Sequence, residues 1–288
     1  MAKTKILITG SKGMLGSALV EALSSEFEIK GIDVDDCDIT DRQKITKTIK
    51  DYNPGIVIHA AAYTDVDGFE LNSEKAFAVN FKGTENIARA AKEINATLFY
   101  ISTDYVFDGS KEKPYIETDA PNPINIYGKS KLEGERILQA VLEKYLILRT
   151  SWLFGPNGKN FVTTILQKAK DTETLRVVDD QVGSPTYTID LAEAIKSLLT
   201  TYNLPLTTNY GIYHITNSGS CSWYEFAREI CSLKQLKTQI LPINSKESHR
   251  PAKRPKMSIL DNSKLLDTFK LKLRPWAEAL NHFLLNYI

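Results

Sequence analysis

The chain has 288 residues, 42% of them hydrophobic and 25% charged, with a formal net charge of +1. That length suits one large domain or two closely joined ones, with enough chain to bury a sizeable core. The near-neutral balance gives no electrostatic ground for nucleic acid or an anionic membrane as partner, and no run of apolar residues in the sequence reaches the ~20 that a membrane span needs.

In chain order, Lys5–Thr9 reads as a buried strand, Met14–Ser24 as a helix, Glu28–Asp33 as a strand and Gln43–Asp51 as a helix. Gly55–Ala60 is the next strand, Ser73–Asn95 a long helical stretch, Thr97–Ser102 a strand, Pro123–Lys144 a helix and Tyr145–Thr150 a strand. Short strands rich in Ile and Val, alternating with helices, predict a doubly wound α/β fold: a parallel sheet covered on both faces. The pattern then loosens. Val177–Tyr187 carries a Gly183-Ser184-Pro185 turn between two extended pieces, Ile189–Thr200 is helical, Gly211–Thr216 a strand and Ser222–Ser232 an amphipathic helix in which Trp223 and Phe226 mark the apolar face. A last helix runs from Pro275. The expected organisation is a dinucleotide-binding domain over 1–150 and a smaller, partly interleaved substrate lobe over 151–288. Segments at about 189–216 return to the first domain.

The start, MAKTKILITG, enters a strand pattern directly and lacks the apolar h-region and cleavage site of a signal peptide. Cys37, Cys221 and Cys231 are odd in number and have neither close pairing nor metal-ligand spacing. Both features predict a cytoplasmic protein with reduced thiols. The four histidines, His59, His214, His249 and His282, likewise show no metal-ligand spacing.

Gly10-Ser11-Lys12-Gly13-Met14-Leu15-Gly16 lies between the first strand and the first helix. Glycines there allow a tight turn, a close approach of pyrophosphate to the backbone, and close helix–strand packing. The helix N-terminus adds N–H donors and a partial positive charge. With Asp33 closing the second strand, the turn predicts dinucleotide binding. Asp33 suits the ribose hydroxyls of NADH, and Lys12 suits the 2′-phosphate of NADPH, so either cofactor fits. In the loop Asp38-Ile39-Thr40-Asp41, an acidic side chain reaches an adenine amino group, caps the following helix, or does both.

Tyr127 and Lys131 stand four apart and therefore share a helix face. A phenol with a pKa near ~10 is a poor acid or base at neutral pH. A lysine ammonium beside it, together with an oxidised nicotinamide, favours the phenolate and draws that pKa toward the working range. Ser102-Thr103-Asp104 ends a predicted strand, where such sheets place ligands, so that Thr103 faces a substrate carbonyl.

The strings GSKGMLG, HAAAYTDVD, AVNFKGT, STDYVFDG, YGKSKLEGE, RTSWLFG, VVDDQVGSPT and RPKMSILD occur in this order from residue 10 to residue 261. Together they closely resemble the dTDP-4-dehydrorhamnose reductases of the extended short-chain dehydrogenase superfamily. The resemblance implies a catalytic set of Thr103, Tyr127 and Lys131, with Asp104 and Trp152 against the sugar. It implies that Gly13, Met14, Leu15, Asp33, Asp38, Ile39, Ala61, Ala62 and Tyr63 line the cofactor. The expected reaction is reduction of the C4 ketone of a nucleotide-linked 6-deoxy-4-keto sugar by NADPH or NADH. Arg250 and Arg254, in a Pro-broken basic stretch, are candidates to clamp the nucleotide diphosphate.

Some members bind Mg²⁺ at a dimer interface through a glutamate in the first helix. Here Ala18 stands at that place and offers no ligand, so no metal is expected, and monomer and homodimer both fit. Sugar-nucleotide dehydratases carry Thr-Asp-Glu where this chain has Thr103-Asp104-Tyr105, which removes their base. Two alternatives are an epimerase and an NADP-binding regulatory subunit like that of methionine adenosyltransferase. The intact Thr103, Tyr127 and Lys131 favour a catalyst.

Overall fold

The computed structural model describes residues 3–200 and 209–288. Its first half alternates as the sequence predicts: β1 (Lys5–Thr9), α1 (Met14–Leu23), β2 (Glu28–Ile32), α2 (Arg42–Tyr52) and β3 (Ile56–His59). Two short helices, α3 (Val66–Phe69) and α4 (Ser73–Phe77), lead through a π-helical segment, Ala78–Gly83, into α5 (Thr84–Glu93). Then come β4 (Thr97–Thr103), a 3-10 turn (Asp104–Val106), α6 (Ile126–Val141) and β5 (Tyr145–Thr150). The second half holds β6 (Leu153–Phe154), α7 (Phe161–Asp171), β7 (Thr174–Val178), β8 (Val182–Gly183), β9 (Thr186–Tyr187) and α8 (Thr188–Thr200). It continues with β10 (Gly211–His214), β11 (Cys221–Ser222), α9 (Trp223–Leu233), β12 (Gln239–Ile243), α10 (Ser263–Phe269) and α11 (Trp276–Tyr287).

Six strands form one sheet in the order β2-β1-β3-β4-β5-β10, every pair parallel. The doubly wound α/β class is therefore borne out. Successive strand residues face opposite sides, and both sides are covered. Ile6, Ile8, Phe99 and Leu146 pack with residues of α1, α8 and α10. Leu7, Val57, Leu98 and Ile147 pack with residues of α2, α5 and α6. That double burial is why the strands read as unbroken apolar runs rather than alternating ones.

The chain runs from β1 outward to β2, then crosses back to β3 on the other side of β1. The crevice beyond the carboxyl ends of β1 and β3 is the switch point at which sheets of this kind hold ligands. Beyond the sheet, α7, α9 and α11 share a third core around Phe154, Phe226 and Phe283, flanked by the parallel pair β7–β12. Residues 201–208 of the stretch 189–216 lie outside the described residues; β10, just after them, pairs with β5 at the sheet's edge.

Several elements differ from the sequence reading, which has no counterpart to the short elements α3, β6, β12 and α10. Helix α7 was not read at all, although Asn160 caps it in a capping box with Thr163 and Val162, Ile165, Leu166 and Ala169 bury at helical spacing. The stretch 73–95 is interrupted by the π segment. The helix expected from Pro123 starts at Ile126, because Asn125 adopts extended backbone and its side chain accepts the Gly128 N–H. Among the described residues, no helix is long and apolar enough to cross a membrane.

Candidate active site

At the switch point the glycine turn is built by backbone requirements. Gly10 has φ +69°, and a Cβ on it would stand 2.7 Å from the Ala61 backbone. A Cβ on Gly16 would come within 1.9 Å of the Gly10 carbonyl oxygen, so both positions tolerate only hydrogen. Gly13 is the N-cap of α1 and has no side chain to cap it. The first-turn N–H groups are thereby left for a ligand, at the positive end of the helix dipole. Such a cradle fits the pyrophosphate of a dinucleotide.

A cleft of about 450 Å³ joins this turn to the end of β4, lined by Gly10, Gly13, Met14, Leu15 and Ala62 at one end and Thr103, Asp104, Tyr127, Lys131 and Trp152 at the other. The Thr103 hydroxyl accepts the Tyr105 N–H at 3.2 Å and donates to Asp104 Oδ1 at 3.1 Å. Tyr127 is packed between Phe69, stacked at 6.2 Å, and the edge of Tyr105 at 5.9 Å. Lys131 is 2% exposed. Its Nζ donates to the Ile101 carbonyl at 2.7 Å and lies 4.0 Å over the Tyr100 ring.

Burial governs the proton affinities here. It pushes the Tyr127 phenol up to about 12, with the Thr103 hydroxyl pulling the other way and Asp104 pushing further up. It pushes the Lys131 ammonium down to about 7, against the pull of Glu135. The lowering of the tyrosine expected from the sequence needs lysine and an oxidised nicotinamide together. In the protein alone the phenol is raised by its own burial, and Lys131 is desolvated with its ammonium directed to a main-chain carbonyl.

Beneath the cleft is a layer that sequence reasoning missed. Glu135, one turn after Lys131 on α6, is fully buried and accepts from Ser102 Oγ at 2.5 Å, Arg149 Nε at 2.9 Å and Arg149 Nη2 at 2.6 Å. It thus ties the ends of β4 and β5 to the helix that carries Tyr127 and Lys131. Asn80, in the π segment, accepts the Tyr63 N–H and donates to the Tyr63 carbonyl and to Ser130 Oγ. A π turn displaces one residue out of helical register, and here that residue pins the loop after β3 against α6. The only signal for either residue lay inside the strings AVNFKGT and YGKSKLEGE.

The other expected residues take varied places. Asp33 Oδ2 accepts the Lys12 N–H at 3.0 Å, and Lys12 Nζ pairs with Asp35 and Asp36, all exposed. Asp41, not Asp38, caps α2; Asp38 Oδ1 accepts from Thr40. Ile39 is buried against Gly83, Ala61 donates its N–H to Thr9 Oγ, and Tyr63 packs edge-on against Phe69. Trp152 has φ +48°, uncommon for a bulky residue, and stacks on Trp223 at 3.4 Å. Trp223 therefore faces the cleft as well as packing on the lobe's core. Ala18 is a buried methyl in the core shared by α1 and α8 and supplies no donor to a magnesium ion.

Arg254 is not in the cleft. It lines an adjoining cavity of about 520 Å³ with Lys168, Arg176 and Arg250, and the two spaces share Tyr105 and Trp223. Its guanidinium grips Asp67 through both nitrogens, at 3.0 and 2.8 Å, which joins α3 to the segment between β12 and α10.

The family model described as the RmlD substrate binding domain matches residues 4–288. The chain belongs to this family. The resemblance read from the motifs is thereby borne out. A dTDP-4-dehydrorhamnose reductase of Aggregatibacter actinomycetemcomitans is 40% identical, covering 96% of this chain and 97% of that protein. The Bacillus subtilis spore coat polysaccharide biosynthesis protein SpsK is also 40% identical, over 98% and 97%. The crystal structure of the Bacillus anthracis dTDP-4-dehydrorhamnose reductase in complex with NADP is 42% identical, covers 99% of both chains and superposes with a TM-score of 0.93. A UDP-glucose 4-epimerase from Thermus thermophilus, 20% identical with a TM-score of 0.81, shares the fold.

Proposed function

We propose that the chain reduces the C4 ketone of a nucleotide-linked 6-deoxy-4-keto sugar, dTDP-4-dehydrorhamnose, to the alcohol with NADPH or NADH. The observation that carries this reading is the single cleft running from the Gly10–Gly16 cradle to Thr103, Tyr127 and Lys131. Family membership and the NADP held by the relative from Bacillus anthracis support it.

A bound nicotinamide supplies the hydride. The turn and the first-turn N–H groups of α1 hold the pyrophosphate, with Ala61, Ala62 and Tyr63 along one wall and Asp33, Lys12, Asp38 and Ile39 toward the adenosine. Tyr127, with its phenol at about 12, is fully protonated at neutral pH, the state a proton donor to a developing alkoxide needs. Thr103 hydrogen-bonds the carbonyl oxygen and Lys131 the cofactor ribose. Asp104 and Trp152 contact the sugar. Lys168, Arg176, Arg250 and Arg254 give the adjoining cavity the cationic lining that a nucleotide diphosphate requires. On this reading residues 1–150 form the cofactor domain and 151–288 mainly the substrate lobe, acting in the cytoplasm on a small molecule rather than on nucleic acid or a membrane. Tyr105 in place of a carboxylate disfavours dehydration, and the reductase names of the relatives favour a single reduction over epimerisation or a binding role.

The test is oxidation of NADPH and NADH, side by side, by purified protein with dTDP-4-keto-6-deoxysugars. Tight cofactor binding without turnover would refute the reductase.

A further inference from the structure

Among the described residues that line the cleft, two buried side-chain oxygens have no hydrogen bond, Thr150 Oγ1 and one oxygen of Asp104. Asp104 begins the 3-10 turn after β4, is 2% exposed and lines the cleft. Its Oδ1 accepts the Thr103 hydroxyl at 3.1 Å; its Oδ2 is buried without a hydrogen bond of good geometry, the Ser258 hydroxyl being close enough only to favour the charged form against burial. The surrounding cations are committed elsewhere: Lys131 to the Ile101 carbonyl and Arg254 to both oxygens of Asp67. The remaining ionisable groups against the turn are the phenols of Tyr105 and Tyr127, both held in the neutral form by burial. A carboxylate here would be a buried charge with no counterion, which costs far more than a buried neutral acid.

We propose that Asp104 works as a neutral acid, keeping its proton and presenting Oδ2–H to the cleft as a donor to an oxygen of the bound sugar. Burial pushes its carboxyl up to about 7, while the Ser258 and Thr103 hydroxyls and the N–H groups of Asp104 and Tyr105 act the other way. A substrate that expels the remaining water moves it further up. The neutral form has a second consequence. A carboxylate would hold the Thr103 proton in a charge-assisted bond about twice as strong as a neutral one. A neutral carboxyl releases that proton to the substrate carbonyl. The identity of the sugar rests on the reductase reading; the protonation state does not.

Carbonyl-region infrared difference spectra of the full-length protein, wild type minus Asp104→Asn and wild type minus Asp104→Ala, test this directly. The expected result is a protonated-carboxyl band, absent in the variants, that gives way to carboxylate only as the pH passes about 7. Conversion already complete at mildly acidic pH overturns the proposal. In turnover, Asp104→Asn keeps a donor of the same size and should stay within about 10-fold of wild type in kcat/KM, while Asp104→Ala should lose roughly 10-fold or more relative to Asp104→Asn. An Asn variant as poor as the Ala variant also overturns it. If the wild type turns over no keto sugar, the reductase reading fails and the infrared result still decides the state of Asp104.

Discussion

At the glycine-turn end of the cleft, what faces a ligand is main chain: the N–H groups of a helix start, exposed because Gly10, Gly13 and Gly16 carry no side chains. At the other end, within the same cleft, the working groups are side chains from β4, its following turn and α6, buried so deeply that their proton affinities depart from ordinary values. The first end achieves its chemistry by geometry alone and does not titrate. The second achieves it by desolvation, and holds its position only through a further buried layer, Glu135 with Arg149 and Ser102. One end should therefore fail sterically when altered, the other electrostatically.

Four substitutions probe that contrast, the largest effect first. Tyr127→Phe removes the proton donor and should lower kcat by roughly 10²–10⁴-fold, with cofactor affinity by fluorescence titration near wild type. A kcat near wild type would remove Tyr127 from the reaction. Glu135→Ala leaves the buried Arg149 without its counterion and should cost about 3–5 kcal/mol in denaturant unfolding. A loss below ~1 kcal/mol would show that water or other groups replace the carboxylate. At the other end, Gly16→Ala drives a methyl group into the Gly10 carbonyl. The expected outcome is loss of dinucleotide binding with a stability cost of about 1–3 kcal/mol and no change in the pH profile of stability. Lys12→Ala breaks only exposed ion pairs with Asp35 and Asp36, each worth at most ~1 kcal/mol. It should leave Tm almost unchanged and weaken NADPH binding more than NADH binding.

The electrostatic end has a pH signature. Asp104 has its folded value raised from 3.8 to about 7. Its neutral form therefore contributes stability that is fully present below 3.8 and is lost as the pH rises through about 7. Measured against Asp104→Asn, which cannot ionise, the wild type should lose Tm across that window and keep a constant difference above it. A flat difference throughout would mean that the carboxyl titrates normally.

Legibility in the sequence follows the same division. The glycine spacing, the apolar strands and the four-residue step from Tyr127 to Lys131 are local patterns, so the sheet, the glycine turn and the Tyr127–Lys131 pair were readable. Helix α7 was missed although its cap and period were local too. Asn80 was not readable, because a π turn carries no period of its own. Nor was the pairing of Glu135 with Arg149, which joins helix α6 to strand β5 across 14 residues of sequence. Arg254 is a candidate phosphate ligand on the sequence, but its grip on Asp67, 187 residues away, belongs to the packing of α3 against a distant segment.

The sequence by itself determined the alternation that makes a parallel sheet, the backbone cradle at the start of α1, and which side chains were available for acid–base work. Those depend on residue type and short-range spacing. Only the tertiary structure decided the state of those side chains: Lys131 directed to a carbonyl, Tyr127 held protonated, and Asp104 left with one oxygen unpaired. Proton affinity depends on burial and on which charges lie nearby, and both are set by segments that meet only when the chain is folded.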